Sequence, residues 1–349
     1  MSFNLGSITR ENVKGLKPYS SARDEYVSDG SEMVFLDANE NPFDNGVNRY
    51  PDPQQRSLKA VLADQKGIGV ENILLGNGSD EVLDLIFRAF CEPKEDNILT
   101  LPPTYGMYKV LSGINCIENR TVLLDKDFQP DVEAILKVID AKSKVLFICS
   151  PNNPTGNSIS EERITKLLNN FDGLVVIDEA YIDFAEDKSW IEELANFQNL
   201  VITQTMSKAY GMAGIRLGIC IASEEIITIL NKIKPPYNVN GLTQLKALDR
   251  ILKTKTVAEE VTNILAERGK LIQALNEISF VRIIYPTDAN FVLVKVDEAD
   301  LRYNELLDRG IVIRNRSSQP LCENTLRFTV GTPEENNKLI TILKQISIS

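Results

Sequence analysis

Between residues 71 and 222 the chain alternates short apolar runs with longer amphipathic ones. "NILL" (72–75) precedes "SDEVLDLIFRAF" (79–90), and "KVLFIC" (144–149) precedes "SEERITKLLNNF" (160–171). "LVVI" (174–177), "LVITQ" (200–204) and "LGICIA" (217–222) continue the series. A strand with no polar residue must be covered on both faces, and the helical patterns in between supply the cover. The pattern therefore implies an α/β fold: a large domain with a mostly parallel central sheet flanked by helices. Ser79 and Ser160 stand where N-caps are expected, each followed by two acidic residues that suit the helix dipole.

The style changes after about residue 250. Thr256 and Glu259 have capping-box spacing, which predicts the start of a long helix. Val257, Val261, Ile264, Leu265, Leu271, Ile272, Leu275 and Ile278 then recur at helical spacing. "NFVLVKV" (290–296), a helix near 298–309, "GIVIRN" (310–315), "LRFTVG" (326–331) and a helix from Pro333 read as a smaller α+β unit. The expected division is 31–250 for the large domain, with 1–30 (an N-terminal arm) and 251–349 forming the small one.

Charge and composition exclude several functions. The net charge of −11 repels nucleic acid, and no basic run reverses it. An anionic substrate would need a local arginine pocket. No apolar run reaches the roughly 18 to 20 residues that span a bilayer, and the N-terminus has no signal-peptide profile, so a cytoplasmic location is expected. Five scattered cysteines without a CxxC pair, and no histidine at all, leave no Cys/His zinc site. Without histidine, proton transfer near neutral pH falls to a residue whose pKa the fold has moved.

Four motifs carry chemistry. "GNGSDE" (76–81) joins a strand to a helix start, as an anion site or as a tight turn. Glu81 stands where the dinucleotide fingerprint has its third glycine, and no GxxxxGK[ST] occurs. "SPNNPTG" (150–156) is a turn that presents Asn152 and Asn153, or simply a turn. In "LVVIDEAY" (174–181), Asp178 ends a buried strand, where α/β proteins place ligands; it could also cap the next helix. "TQTMSKAYGMAGIRLG" (203–218) sets Lys208 among Thr205, Ser207 and Arg216. Singly, each has a plain structural reading. Together they fit pyridoxal 5'-phosphate: a lysine for its aldehyde, an acid for its ring nitrogen, and hydroxyls with an arginine for its phosphate.

With these motifs the chain resembles the fold-type I pyridoxal-phosphate aminotransferases (class II). Within them it is most similar to the branch that acts on histidinol phosphate. "KPYSSAR" (17–23), "LDANENPF" (36–43), "RYPDP" (49–53), "PPTYGMY" (102–108) and "LRFTVGTPEEN" (326–336) extend the resemblance over almost the whole chain. It implies that Lys208 holds the cofactor and shuttles the proton, and that Asp178 pairs with the ring nitrogen. Asn153 and Tyr181 would bond the ring's 3-oxygen and Tyr105 would stack on its face. Ser79, Asp80, Thr205, Ser207 and Arg216 would grip the phosphate. Tyr50 would reach that phosphate from the other subunit of a homodimer. Tyr19, Asn153, Arg314 and Arg327 would bind the substrates, with L-histidinol phosphate as donor, 2-oxoglutarate as acceptor, and no metal. An aromatic amino-acid aminotransferase, a phosphothreonine-type decarboxylase and a non-catalytic cofactor-binding regulator are the other readings of the same motifs.

Overall fold

The computed structural model describes residues 3–18 and 34–348. Its central sheet has seven strands: β1 (Ile73–Asn77), β2 (Asn97–Thr100), β3 (Glu118–Thr121), β4 (Ser143–Cys149), β5 (Leu174–Asp178), β6 (Leu200–Thr205) and β7 (Leu217–Ala222). Their order is β1-β7-β6-β5-β4-β2-β3. The pairs from β6 to β3 are parallel, whereas β7 runs antiparallel to both neighbours. Successive residues of each strand enter opposite cores, as the period of two requires. Leu146, Ile148, Val175 and Ile177 pack in one, and Val145, Phe147, Leu174 and Val176 in the other. This two-sided burial is the reason for the unbroken apolar runs.

Two strands have no counterpart among the apolar runs of the sequence. β2, "NILT", is fully buried but short, and β3, "ENRT", is a polar edge strand with no apolar face to detect.

A second, four-stranded antiparallel sheet comprises β8 (Val281–Ile284), β9 (Phe291–Val296), β10 (Arg314–Asn315) and β11 (Thr325–Thr329), in the order β10-β11-β9-β8. Leu271 and Leu275 of the helix Thr254–Leu275, and Leu339, Leu343 and Ile346 of the helix Pro333–Ile348, pack with it. Of "GIVIRN" only Arg314 and Asn315 join the ladder, opposite Arg327 and Leu326, and Val312 is left exposed at the sheet edge.

Three local expectations are corrected. The long helix starts at Thr254, directly after the helix Gly241–Ile251 ends, so Thr256 lies inside it and is no cap. Ser79 is the first residue of its helix rather than the N-cap. Gly78 is the cap, at φ +82, a conformation that suits glycine and leaves no side chain to cap with. Ser160, by contrast, is the N-cap expected of it, although its side chain makes no capping bond. The first residues also differ from their expected grouping with 251–349. Ile8 is buried in the core beside the helix Ser79–Phe90, and the Arg10 N–H donates to the Ala89 carbonyl.

Gly218 fixes how the edge of the sheet meets the next turn. A Cβ there would lie 2.3 Å from the Gly78 carbonyl carbon and the Ser79 nitrogen. Both are backbone atoms and cannot swing away. Gly218→Ala is expected to lower unfolding stability by about 1–3 kcal/mol, measured by urea denaturation. An unchanged midpoint would show that the turn yields freely.

Candidate active site

The chain directions of the sheet gather the polar residues at one edge. The register aligns Cys149 with Asp178, where β4 and β5 end, and Asp178 with Thr203, two residues before β6 ends. Their following residues, with the helix start at Ser79, surround one cleft. Because β7 is antiparallel, it begins at this edge, and Arg216 enters the cleft from the residue before it.

Asp178 lies at the base. It is 3% exposed, the Tyr108 hydroxyl donates to its Oδ2 at 2.8 Å, and the Ala180 N–H donates to Oδ1 at 3.2 Å. Asp178 does not cap the next helix, the alternative the sequence allowed: that helix is Ile182–Phe184, its N-cap is Tyr181, and no side chain caps it. No cation pairs with Asp178 among the described residues. Burial outweighs the hydrogen bonds and lifts its pKa to about 6. Tyr108 went unnoticed in the sequence. It lies three residues after Tyr105, in the first turn of the helix Met107–Ile114, and the two rings meet edge to face at 5.6 Å.

Lys208 follows β6 in a turn closed by the Gly211 N–H on its carbonyl. Its Nζ lies 5.6 Å from the centroid of the Tyr181 ring. Burial lowers the lysine pKa first, the Arg327 charge lowers it further, and Asp178 opposes both. Asn153 sits beside this pair. Its Nδ2 donates to the Tyr181 hydroxyl at 3.3 Å, while its Oδ1 accepts from Arg327 Nη1. Burial keeps the Tyr181 hydroxyl protonated far beyond neutrality.

The other end of the cleft is rich in donors. The first-turn N–H groups of the helix Ser79–Phe90 have no side-chain cap. The Thr205 hydroxyl donates to the Ser207 hydroxyl at 3.0 Å, and both line the cleft. Arg216 Nη2 lies 3.5 Å from Asp80 Oδ2, and the Tyr105 hydroxyl donates to Asp80 Oδ1 at 3.0 Å. The Asp80 side chain therefore departs from its expected role. An ionised carboxylate has nothing to donate to a phosphate. Here it orients Arg216 and Tyr105, and only its backbone N–H can face an anion.

Of the remaining expected residues, Arg327 joins the cleft through Asn153, and Arg314 faces Arg327 across β10 and β11. Tyr50 stands apart from this cleft, half exposed and stacked on Tyr237 at 4.5 Å. Tyr19 lies outside the described residues.

The donor set fits pyridoxal phosphate on two observations. A buried carboxylate without a cation is matched by a protonated ring nitrogen. An uncapped helix start with two hydroxyls and a guanidinium is matched by a phosphate. Among the described residues no cluster of His, Cys, Asp or Glu could hold a metal ion, and no helix is long and apolar enough to cross a membrane.

Comparison with known proteins agrees with this chemistry. The chain matches the family described as aminotransferase class I and II over residues 31–343. It is 63% identical over 347 residues to a histidinol-phosphate aminotransferase of Flavobacterium johnsoniae, covering 99% of each chain. It is 62% identical over 344 residues to the protein of the same name from Christiangramia forsetii, covering 99% of this chain and 98% of that one. Among solved structures, the histidinol-phosphate aminotransferase of Clostridium acetobutylicum superposes with a TM-score of 0.80 at 28% identity, covering 86% of this chain and 91% of that one.

Asp178 yields a test by pH. Its pKa is 3.8 as an ordinary carboxyl and about 6 in the folded chain. The folded state thus holds the proton more tightly, and the stability this confers is present below about pH 4 and lost as pH rises through 6. The unfolding free energy of the cofactor-free protein, relative to Asp178→Asn, is expected to fall by roughly 3 kcal/mol between pH 4 and 7. A flat difference would mean that Asp178 ionises normally.

Proposed function

This chain belongs to the aminotransferase class I and II family, and we propose that it exchanges the amino group of L-histidinol phosphate with 2-oxoglutarate, in a ping-pong cycle on pyridoxal phosphate. The observation that carries the reading is the pairing, in one cleft, of Lys208 biased toward its neutral form with a buried carboxylate that no cation balances. The high identity to proteins named for histidinol phosphate supports the donor substrate.

Bound pyridoxal phosphate supplies an aldehyde on which amines exchange and a protonated ring that accepts electrons released at the substrate carbon. Lys208 Nζ would hold the aldehyde and, once released, take the proton from the substrate's amine-bearing carbon and hand it back. That requires the neutral amine, which burial and the neighbouring Arg327 favour. Asp178 would hold the ring-nitrogen proton, and Tyr108 holds Asp178. Asn153 and Tyr181 would bond the ring's 3-oxygen, with Tyr105 against the ring face. The N–H groups of Ser79 and Asp80, with Thr205, Ser207 and Arg216, would bind the phosphate. Arg314 and Arg327, with Tyr19, would take the anionic end of each substrate. A cytoplasmic site of action belongs to the same proposal.

A homodimer is part of the reading. Tyr50 lines a surface groove with Val47, Leu242 and Leu245, and the nearby Leu36 and Phe43 are also strongly exposed. Apolar surface of this extent favours burial by a partner, and we assign that role to a second copy whose cofactor phosphate Tyr50 contacts.

Lys208→Ala is expected to lower turnover of L-histidinol phosphate about 10⁴-fold, and to abolish the absorbance of lysine-linked cofactor. Wild-type turnover in that variant would sink the assignment. Wild-type protein assayed side by side should prefer L-histidinol phosphate to L-phenylalanine and should not decarboxylate O-phosphothreonine. For Tyr50, mixing inactive Tyr50→Ala and Lys208→Ala subunits should restore activity that neither has alone, since one site of each hybrid is intact. No restoration on mixing would place Tyr50 and Lys208 in the same subunit's site.

A further inference from the structure

In a chain of net charge −11, three arginines in or beside the second sheet stand together, and among the described residues no carboxylate pairs with any of them. Arg314 lies directly opposite Arg327 in the β10–β11 register. Arg316 follows two residues on, its N–H bonded to the Thr325 carbonyl, so it projects to the same face as Arg314. Neither Arg314 nor Arg316 makes a side-chain hydrogen bond or ion pair among the described residues, and the one hydrogen-bond partner of Arg327 is the neutral amide of Asn153. The Nε atoms of Arg316 and Arg327 are both buried and both without a partner.

Such a cluster is unfavourable as it stands. A buried donor without an acceptor costs free energy, and so do like charges side by side. The mutual repulsion is visible: burial first, then the Arg316 charge, draws the Arg327 pKa down to about 10, and burial with the Arg314 charge lowers that of Arg316. Arg327 donates to Asn153, which with its partner Tyr181 lines the cofactor cleft, so the arginine face adjoins the reaction site. Asn153 already holds one edge of Arg327. A singly charged carboxylate is served by one further fork. A phosphate monoester carries a second charge and a third acceptor oxygen, and it needs another guanidinium.

We infer that Arg316 is a third arginine of the substrate site, and that it sets the preference for a phosphate monoester over a carboxylate. This rests on the reading of the cleft as a transaminase site for a phosphorylated amine. The motif "RNR" (314–316) carries it in the sequence, where the alternation puts both arginines on one face.

The test compares Arg316→Gln and Arg316→Lys with wild-type holoenzyme. For Arg316→Gln, KM for L-histidinol phosphate should rise about tenfold or more, while KM for 2-oxoglutarate changes by less than about threefold. Arg316→Lys, with its charge but not its fork, should fall between. Inorganic phosphate should inhibit the wild type competitively and Arg316→Gln about tenfold more weakly. An equal rise for both substrates, or none for either, overturns the inference. The absorbance of lysine-linked cofactor checks that each variant is folded and loaded. If the wild type fails to turn over L-histidinol phosphate, yet inorganic phosphate protects it from thermal unfolding in an Arg316-dependent way, the substrate reading falls and the anion site stands. Phosphate protection that does not depend on Arg316 removes the site.

Discussion

A carboxylate held deep in the protein with donors but, among the described residues, no counter-cation is the constraint around which the cleft is organised. Asp178 is placed there by the sheet register, which ends β4 and β5 at one level and carries β6 two residues past it. Tyr108 is held under it by an aromatic stack: its ring lies on Phe147 at 4.9 Å, and Phe147 on Phe87 at 5.2 Å. A buried charge of this kind is costly unless a ligand brings the opposite charge. The fold thus favours a cationic group at the floor of the cleft, and Lys208 above it is biased away from filling that role by burial and by Arg327.

The cationic side of the molecule obeys the same logic. An acidic chain keeps Arg216 at the donor-rich end of the cleft, tied to Asp80, and among the described residues leaves Arg314, Arg316 and Arg327 without a paired carboxylate. Arg216 is there because β7 runs backwards, which brings its first residue to the edge where the parallel strands finish. It adopts a left-handed backbone, φ 54, directly beside the turn at Gly78, where any Cβ would meet its guanidinium at 2.5 Å. The anion-binding end thus depends on two glycines, Gly78 and Gly218, as much as on its charged residues.

Much of this was legible in the sequence. The apolar runs located β1, β4, β5, β6 and β7, and four motifs named the residues that line the cleft, Lys208, Asp178, Asn153 and Arg216 among them. Failures occurred where a residue's role depends on something far away in the chain. The polar edge strand β3 has no pattern of its own. Ser79 looked like a cap until the backbone at Gly78 displaced it. Asp80 looked like a phosphate ligand until Arg216 and Tyr105 were seen to occupy its carboxylate. Tyr108 and Arg316 drew no notice in the sequence, because what each faces is set by elements distant in the chain.

The sequence by itself determined the class of fold and the chemistry on offer. Strands covered on both faces read as largely apolar runs, and a chain without histidine must move protons with something else. Only the tertiary structure decided which groups meet. Residues as distant as Asn153 and Arg327, or Asp80 and Arg216, become partners through strand order and direction, and no local pattern encodes those. The shifts in proton affinity belong to the same category, since burial and neighbouring charge exist only once the chain is folded.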